Sequence, residues 1–405
     1  MSRTCPSCGA SYPDTAFFRG VDGVFTIQAQ DPGDPDARLG QRLGSYIIVA
    51  RVADGAMGRV YEARHTGTRD RVAIKVLHEP VARDRVAVER FKREFETAHE
   101  LANPYIVKVF ELGQSGDAYY MVMEFLTGET LASTLARREP LPFALGVRIV
   151  CQLALALEHA HSYGFIHRDL KPENLFLCDS EADADQGAQL RVLDFGSVKL
   201  QVETGLKLTA LGTTLGSPYY LSPEQATAAS SVDQRSDVFA LGAICYEMLT
   251  GAVAFDGTTV TQILQKILRD SPAPPSSRNR HIPAGVDAAI AGALHKKQRA
   301  RYPTARAFAD ALVAGFGLPT WPCEQWATLR QVEIAAQLAR TQERGREWLP
   351  PSAARSSAAV HPTAIPVSYA SDAALRVPMY TMTRKYLLGV ALALFVLALV
   401  MLGSR

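Results

Sequence analysis

The sequence predicts an α+β fold of two lobes, a small sheet-rich lobe followed by a larger helical lobe. Short apolar runs typical of strands follow one another between residues 46 and 125, and one amphipathic helix interrupts them. After residue 140 helical patterns dominate, for example at 143–163 and 237–249. Because strands and helices are segregated along the chain, we expect a cleft between the two lobes.

Composition excludes some classes of partner and compartment. The 405 residues carry a formal net charge of only +2, which gives no reason to expect nucleic acid as a partner. Of the six cysteines, only Cys5 and Cys8 are close together. This spacing predicts no disulfide framework and favours a reducing compartment.

Four regions differ in composition. Residues 1–45 form a head that ends in a Pro/Asp/Gly linker, and residues 46–316 have the dense apolar pattern of a globular domain. Residues 317–385 are rich in Ala, Pro, Ser and Arg and predict a flexible tether, within which 326–348 has the spacing of one amphipathic helix. Residues 386–403 are apolar and uncharged.

The run 386–403 has about the length needed to cross a hydrocarbon core of roughly 30 Å. The alternative is a buried globular helix, but such a helix rarely follows a flexible tether. Arg384 and Lys385 directly precede the run and favour a cytoplasmic location for that side. The sequence therefore predicts a single-pass membrane protein whose globular domain is cytoplasmic.

The head contains Cys5-Pro-Ser-Cys8-Gly9, which is similar to half of a zinc ribbon. A structural zinc ion needs four ligands. The second pair should fall near residues 18–23, where no Cys or His is present. We therefore do not expect zinc at Cys5 and Cys8, and a degenerate head is the preferred interpretation.

Three features of the first lobe have ordinary explanations when each is taken alone. The turn at residues 52–60 contains Gly55 and Gly58, which let backbone N–H groups approach phosphate oxygens, although most glycine pairs only make turns. Lys75 ends a Val-Ala-Ile-Lys strand, where most lysines are solvated. Glu94 lies on a helix face beside Phe91 and has the pattern of a boundary charge.

The loop at residues 167–174, His-Arg-Asp-Leu-Lys-Pro-Glu-Asn, is more specific. It places Asp169, Lys171 and Asn174 within one short segment, and Asp194-Phe-Gly follows twenty residues later. Carboxylate and amide oxygens are ligands that Mg²⁺ prefers. Together with the upstream lysine, these residues predict a site for magnesium and a phosphorylated ligand.

In this order the motifs resemble the protein kinase superfamily over nearly all of residues 46–313. Further matches are Ser222-Pro223-Glu224, Asp237 and Arg301. The segments 55–61 and 220–225 are similar to those of bacterial eukaryotic-type (Hanks-type) serine/threonine kinases. The resemblance implies a bilobal protein kinase fold and transfer of the γ-phosphoryl group from Mg-ATP to Ser or Thr of cytoplasmic proteins.

The resemblance also implies how nucleotide and magnesium are held. Lys75 pairs with the α- and β-phosphates, and Glu94 fixes its ammonium group. Asn174 and Asp194 hold Mg²⁺. The adenine ring binds the backbone of the hinge at Glu124 and Phe125. Met123, just before the hinge, has the gatekeeper position that limits the depth of the adenine pocket. The glycine-rich loop over the phosphates comprises Val52, Ala53, Asp54, Gly55, Ala56, Met57, Gly58, Arg59 and Val60.

For catalysis, the resemblance implies that Asp169 orients the substrate hydroxyl and accepts its proton. Lys171 contacts the γ-phosphate, and Asn174 completes the catalytic set. Glu224 and Arg301 form a buried ion pair that braces the substrate platform. Ala53 departs from the pattern, because the family has glycine there, and this predicts weaker nucleotide binding.

The segment between Asp194 and Glu224 resembles an activation loop. Arg168, which precedes the catalytic aspartate, is a trait of kinases that loop phosphorylation activates. We expect autophosphorylation at Thr213 or Thr214, with Thr209 as the third candidate. The alternative is that these threonines are ordinary polar loop residues.

Two other functions remain to be distinguished at this point. A pseudokinase would bind partners without catalysis, and Ala53 is its only support. A small-molecule kinase would resemble this chain in the catalytic loop but would lack the Ser-Pro-Glu platform and Lys171. The sequence leaves homodimerisation open.

Overall fold

The amino-terminal part of the chain forms antiparallel sheets, as the strand-like runs predict. In the computed structural model, the described residues are 3–6, 10–13, 16, 24–28, 36–179, 188–194, 218–227, 229 and 232–347. The strands of this part are β1 (Arg3–Thr4), β2 (Ser11–Tyr12), β3 (Ile27–Gln28), β4 (Arg42–Leu43), β5 (Tyr46–Asp54), β6 (Gly58–His65), β7 (Arg71–Leu77), β8 (Val109–Ser115) and β9 (Ala118–Glu124). Strands β4 to β9 form one six-stranded sheet in the order β4-β5-β6-β7-β9-β8.

Two helices, α1 (Glu79–Ala82) and α2 (Arg85–Glu100), lie between β7 and β8. Helix α2 is capped by Asp84, whose carboxylate accepts the N–H of Val86 at 2.9 Å and satisfies one unpaired donor of the first turn. Phe91 and Ala98 are buried, which confirms the predicted apolar face, and Glu94 is buried on the same helix. A buried carboxylate is costly unless it has a cationic partner, so this position demands one.

The larger carboxyl-terminal lobe is helical, and the predicted two-lobed α+β arrangement is confirmed. Its first helices are α3 (Leu131–Leu135), α4 (Phe143–Ser162), α5 (Pro223–Ala226), α6 (Arg235–Thr250), α7 (Val260–Arg269), α8 (Pro275–Arg278), α9 (Ala284–Ala293) and α10 (Ala305–Gly315). Helices α4 and α6 are buried along almost their whole length and form the centre of the core. Helix α6 ends at Gly251, which has a φ of 71°, a backbone conformation that glycine adopts without strain.

A small sheet carries the predicted site residues between the lobes. Its strands are β10 (Gly128–Thr130), β11 (Leu175–Cys178) and β12 (Gln189–Val192), in that order. Strand β11 directly follows the 167–174 loop, and β12 leads to Asp194. The N–H of Val107 donates to the carbonyl of Val192 at 3.0 Å, so β12 is also attached to the segment before β8. Strand β11 therefore holds the 167–174 loop in place, and β12 holds Asp194 in place.

One helix of the described residues, α4, is long and apolar enough to cross a membrane by length and composition alone. Within that helix 72% of the most apolar window is buried in the core of the lobe. This is the pattern of a core helix. The predicted membrane helix at 386–403 lies outside the described residues.

The structure differs from the predicted boundary at residue 316. The sequence predicts a flexible tether from 317 onward, whereas two further helices, α11 (Cys323–Thr328) and α12 (Gln331–Glu347), follow in the structure. Trp326, Ile334 and Leu338 are buried against the helical lobe. The predicted amphipathic helix therefore exists as α12, but it packs on the globular domain together with α11.

Polar contacts complete this C-terminal extension, by which we mean residues 318–341. The guanidinium of Arg148 on α4 donates to the carbonyl of Leu329 at 2.9 Å. The side-chain amide of Gln152, also on α4, donates to the carbonyl of Ala327 at 2.9 Å and accepts the N–H of Leu190 at 2.8 Å. These bonds satisfy carbonyl groups near the end of α11, where the helix itself provides no donor.

The described parts of the head pack on the sheet rather than forming a separate segment. Strand β1 pairs with β2 and β3, and Arg3 lies 3.7 Å from the carboxylate of Glu62. Asp36 is buried and accepts the hydroxyl of Tyr61 at 3.0 Å. Cys5 is buried, whereas Cys8 and residues 18–23 lie outside the described residues. The predicted absence of zinc therefore remains a prediction.

Candidate active site

The loop at 167–174 is held in place by one buried carboxylate. Asp237 on α6 accepts the N–H groups of His167 and Arg168, both at 2.9 Å. His161 donates from Nε2 to the same carboxylate at 2.8 Å. Although burial opposes ionisation, these bonds hold the pKa of Asp237 below its usual value. Arg168 has a φ of 62°, which is unfavourable for a residue with a side chain and must be maintained by such contacts.

The three residues predicted to act in catalysis lie together on this loop. The ammonium group of Lys171 donates to Asp169 Oδ2 at 2.7 Å. Asn174 Nδ2 donates to the backbone carbonyl of Asp169 at 2.9 Å. The Asp169 side chain is 40% exposed, so its carboxylate is accessible to solvent. The arrangement presents a carboxylate with one oxygen paired to a cation.

Lys75 joins residues from three distant parts of the chain. Its Nζ donates to Glu94 Oε1 at 2.6 Å and to Asp194 Oδ1 at 3.0 Å. Strand β7 contributes the lysine, α2 contributes the glutamate, and Asp194 follows β12. The predicted Lys75–Glu94 pair is therefore present, and it supplies the cation that the buried glutamate requires.

Electrostatics within this triad set the charge of each group. Burial acts to lower the pKa of Lys75, but the carboxylates of Asp194 and Glu94 raise it well above its usual value and keep the amine charged. Burial raises the pKa of Glu94 to about 8, against the opposing effect of Lys75. Burial also opposes ionisation of Asp194, yet Lys75 holds its pKa low, at about 2. Asp194 thus stays ionised beside the charged amine of Lys75.

The glycine-rich turn closes the hairpin between β5 and β6. The N–H of Gly55 donates to the carbonyl of Gly58 at 3.0 Å, and a Cβ atom at Gly58 would lie 2.3 Å from the carbonyl oxygen of Val76. Only glycine fits at that close approach. His78 donates from Nε2 to the carbonyl of Gly55 at 2.8 Å. The backbone N–H of His78 donates to the carbonyl of Met57 at 3.0 Å. The turn is therefore attached to the end of the lysine strand.

The flanks of the turn carry its remaining predicted residues. Ala53 pairs with Val60, and Asp54 pairs with Arg59 across the hairpin. The guanidinium of Arg59 donates to Asp54 at 2.6 Å and to Asp36 of the head at 3.2 Å. Val52 is largely exposed, as is Ala56 at the tip. Ala53 retains its place in strand β5 without a glycine.

The predicted hinge lies at the end of β9. The Glu124 carboxylate accepts the N–H of Lys108 at 2.8 Å and the guanidinium of Arg191 at 3.2 Å. Arg71 stacks on the ring of Phe125 at 3.7 Å from its centroid. Because side-chain contacts fix both residues, the backbone between the lobes is anchored on either side.

The predicted platform pair is present and buried. Arg301 donates to the two carboxylate oxygens of Glu224 at 2.6 and 2.7 Å, and the arginine side chain is fully buried. Its guanidinium also donates to the carbonyl groups of Arg235 and His295. A bidentate pair with its remaining donors satisfied is the arrangement in which a buried ion pair is tolerated. It anchors α5 to the helical lobe.

Sequence reasoning did not single out His161 or Gln225, although Gln225 contacts the catalytic loop and His161 contacts the Asp237 carboxylate that holds it. His161 orients Asp237, and the amide of Gln225 donates to the carbonyl of Arg168 at 2.5 Å. Each contact joins residues more than fifty positions apart. The only sequence signal was that Gln225 directly follows the Ser-Pro-Glu segment.

The residues predicted to hold magnesium have suitable donor atoms. Asn174 uses its amide N–H on the loop, which leaves its Oδ1 atom as an oxygen ligand. The N–H of Leu193 donates to the carbonyl of Asn174 at 2.8 Å, so Asp194 follows directly beside the asparagine. An ionised carboxylate and an amide oxygen fit Mg²⁺. Within the described ranges, no cluster of three or more His, Cys, Asp or Glu side chains is placed to hold a metal ion.

Comparisons with known proteins agree with this geometry. The protein kinase domain model matches residues 46–312. Serine/threonine-protein kinase pkn3 of Myxococcus xanthus is 37% identical over 287 residues, which cover 69% of this chain and 52% of the relative. PknB of Mycobacterium tuberculosis, also a serine/threonine-protein kinase, is 36% identical over 255 residues, or 62% and 40% of the two chains. The chain thus spans about half, or less, of the length of these curated relatives.

A solved structure supports the same assignment. The crystal structure of the Mycobacterium tuberculosis PknI kinase domain has a TM-score of 0.53 and 28% sequence identity, and the match covers 68% of this chain and 98% of that one. The kinase model matches well over half of the chain, and the named relatives are bacterial serine/threonine kinases. The chain therefore belongs to the protein kinase family, in its bacterial Hanks-type serine/threonine branch.

Proposed function

We propose that this chain transfers the γ-phosphoryl group of Mg-ATP to serine or threonine hydroxyls of cytoplasmic proteins. The observation that carries the proposal is the assembly of Glu94 and Asp194 around Lys75, each within hydrogen-bond distance of its ammonium group. These residues are up to 119 positions apart in sequence. The groups of this assembly serve to position phosphates and metal. A pseudokinase does not transfer phosphate and therefore has no need of them.

Each group has a chemical role in this proposal. The Lys75 ammonium binds the α- and β-phosphates, while Glu94 holds it in position. Asn174 and Asp194 hold Mg²⁺, which neutralises charge on the transferring phosphoryl group. The backbone N–H groups of the glycine-rich turn bind phosphate oxygens, and the hinge backbone at Glu124 and Phe125 binds adenine.

Asp169 is the proposed base. The substrate hydroxyl oxygen bonds to the γ-phosphorus, the bond from that phosphorus to the β–γ bridging oxygen breaks, and the proton passes to Asp169. Lys171 pairs with Oδ2 of this carboxylate, which leaves Oδ1 to accept the hydroxyl proton. The lysine also lies where it can neutralise the γ-phosphate, so proton acceptance and charge neutralisation occur at the same place.

The surroundings of the loop suit a polypeptide acceptor. A cavity of about 510 Å³ adjoins it, between α3 and the platform. Its lining includes Pro172 and Glu173 of the catalytic loop and Tyr219 and Tyr220 before the Ser-Pro-Glu segment. A cavity lined by several elements gives an extended chain room to bind beside Pro172 and Glu173 of the catalytic loop. A protein acceptor also agrees with the Ser-Pro-Glu segment and Lys171, which a small-molecule kinase would lack.

Loop phosphorylation is the regulatory part of the proposal. Among the residues that the structure describes, the Nε atom of Arg168 is buried without a hydrogen-bond partner. A buried donor without a partner is costly, and a phosphate group would satisfy it. The candidates Thr209, Thr213 and Thr214 lie outside the described residues.

Purified full-length chain, incubated with Mg²⁺ and ATP labelled at its γ-phosphate, tests these proposals together. We expect label on serine or threonine of a generic protein acceptor and, by phosphopeptide mapping, on Thr213 or Thr214. Absence of label from every acceptor would contradict kinase activity. Labelled acceptor with unmodified loop threonines would contradict only the regulatory part.

The apolar run 386–403 is the proposed membrane tether. Its support is its length and the absence of charge over the whole run. Deleting 386–403 is therefore expected to move the chain from the membrane pellet to the supernatant after ultracentrifugation. Deleting 349–366, a stretch of equal length rich in Ala, Pro and Ser, serves as the control and should leave the chain in the pellet. Sedimentation that the first deletion does not alter would disprove the tether.

A further inference from the structure

We propose that Gln225 is a positioning residue for the catalytic loop, acting through the carbonyl group of Arg168. The inference rests on the proposed phosphoryl transfer, because it concerns how Asp169 is oriented for that reaction. Gln225 lies on α5, directly after Glu224 of the substrate platform. Its side chain connects this platform to the residue immediately before the catalytic aspartate.

The backbone of Arg168 needs support from both sides. Arg168 has a φ of 62°, in the left-handed region that side chains disfavour, and a conformation of this kind persists only where its surroundings hold it. On the amino-terminal side, the N–H of Arg168 donates to Asp237 at 2.9 Å. On the carboxyl-terminal side, the carbonyl of Arg168 accepts the amide of Gln225 at 2.5 Å.

Gln225 is itself fixed by local bonds. Its Oε1 atom accepts the N–H of Ser222 at 3.1 Å and the hydroxyl of Ser222 at 3.0 Å. Oε1 is therefore the acceptor for Ser222, and the Nε2 group is directed to Arg168. The assignment of oxygen and nitrogen is determined by these partners, since the reversed amide would place two acceptors together at Arg168.

The neighbouring residue adds rigidity. Glu224 forms the bidentate ion pair with the buried Arg301, which fixes the backbone of α5 next to Gln225. A bond from a fixed platform to the Arg168 carbonyl restricts rotation of the peptide that leads into Asp169. Rotation of this peptide would move the Asp169 carboxylate, and a displacement of about 1 Å at a reacting group can lower the rate about 100-fold.

Two substitutions remove the donor while preserving size. Gln225→Glu keeps an acceptor for Ser222 but presents an oxygen to the Arg168 carbonyl, and Gln225→Met has similar length without a strong donor. We expect both to lower kcat by about 10- to 100-fold, with the KM for ATP unchanged, because Lys75, Asn174 and Asp194 are not involved. A role limited to stability would lower the melting temperature without this separation of kcat from KM.

Gln262 provides a matched control. Its Oε1 atom on α7 accepts the N–H and hydroxyl of Thr258 at 3.0 and 2.8 Å, the same local pattern as Gln225 with Ser222, without a contact to the catalytic loop. Gln262→Glu and Gln262→Met should leave kcat within twofold of the unmodified chain.

The outcomes separate this inference from the proposed function. Thermal melting and circular dichroism of every variant establish that it is folded before its rate is interpreted. If the unmodified chain transfers no phosphate, the proposed function fails. If it does, and a folded Gln225→Glu or Gln225→Met variant keeps kcat within twofold of it, the positioning role is overturned.

Discussion

Asp169→Asn is expected to lower kcat by about 10²- to 10⁴-fold, the usual contribution of a positioned general base. The substitution keeps the size of the side chain but removes the charge and the basic oxygen. Lys171 also loses its anionic partner, which now lies 2.7 Å from its ammonium group. Transfer should therefore almost cease, although the loop keeps its shape.

Nucleotide affinity should change little in the same variant. The bond from Asn174 is made to the backbone carbonyl of Asp169, which the substitution does not alter. The Lys75 triad is also untouched. Steady-state transfer to a serine-containing peptide, paired with a direct titration of ATP binding, measures both quantities. Asp117→Asn, in the exposed turn between β8 and β9, is the control for an ordinary loss of charge.

The result that contradicts this role is transfer at the rate of the unmodified chain. If binding of ATP is lost along with transfer, Asp169 would instead be needed to form the nucleotide site. Equal rates for Asp169→Asn and Asp117→Asn would show that Asp169 is not the base and that another group accepts the proton.

The fold and the central part of the site could be predicted because their determinants are local or strongly ordered along the chain. Asp169, Lys171 and Asn174 lie within six consecutive positions, so a loop that places one of them places all three. Glu94, taken alone, has the pattern of a boundary charge on α2, and only the order of the protein kinase motifs indicated its role. Even so, only the structure shows that Lys75 contacts Asp194 as well as Glu94.

The contacts that sequence reasoning missed depend on tertiary geometry. Gln225 and Arg168 are 57 positions apart, and one partner is a backbone carbonyl, which every residue has. Asp36 was assigned to a linker because its neighbours are Pro and Gly, yet it is buried beside Tyr61. Composition describes the average of a segment and does not reveal one buried residue within it.

The C-terminal extension shows the same limit on a larger scale. Helix α11 has only six residues, too few for a helical period to be evident. The surrounding Pro and Ala are typical of tethers, so the sequence predicts one. What fixes the segment is the burial of a few large side chains, with Gln152 and Arg148 on α4 as donors to its carbonyl groups.

Trp326→Ala should therefore reveal how much of the domain's stability the extension provides. The indole is fully buried and stacks on Trp321 at 4.9 Å between ring centroids. Removing a buried aromatic side chain typically lowers the free energy of unfolding by about 3–5 kcal/mol, through lost burial and the cavity that remains. This is a large fraction of the roughly 5–15 kcal/mol that stabilises a typical domain. Urea unfolding followed by circular dichroism measures the change.

Trp326→Phe is the informative control, because the indole Nε1 is buried without a hydrogen-bond partner among the described residues. Phenylalanine keeps most of the packed ring and removes that unsatisfied donor. Trp326→Phe should therefore lower the free energy of unfolding much less than Trp326→Ala does. If residues 318–341 were a tether, both variants would unfold at the same urea concentration as the unmodified chain. A clear order, with alanine least stable and phenylalanine intermediate, requires Trp326 to be part of the folded core. The globular domain then extends past residue 316, and a variant truncated there would lose part of its core along with the supposed linker.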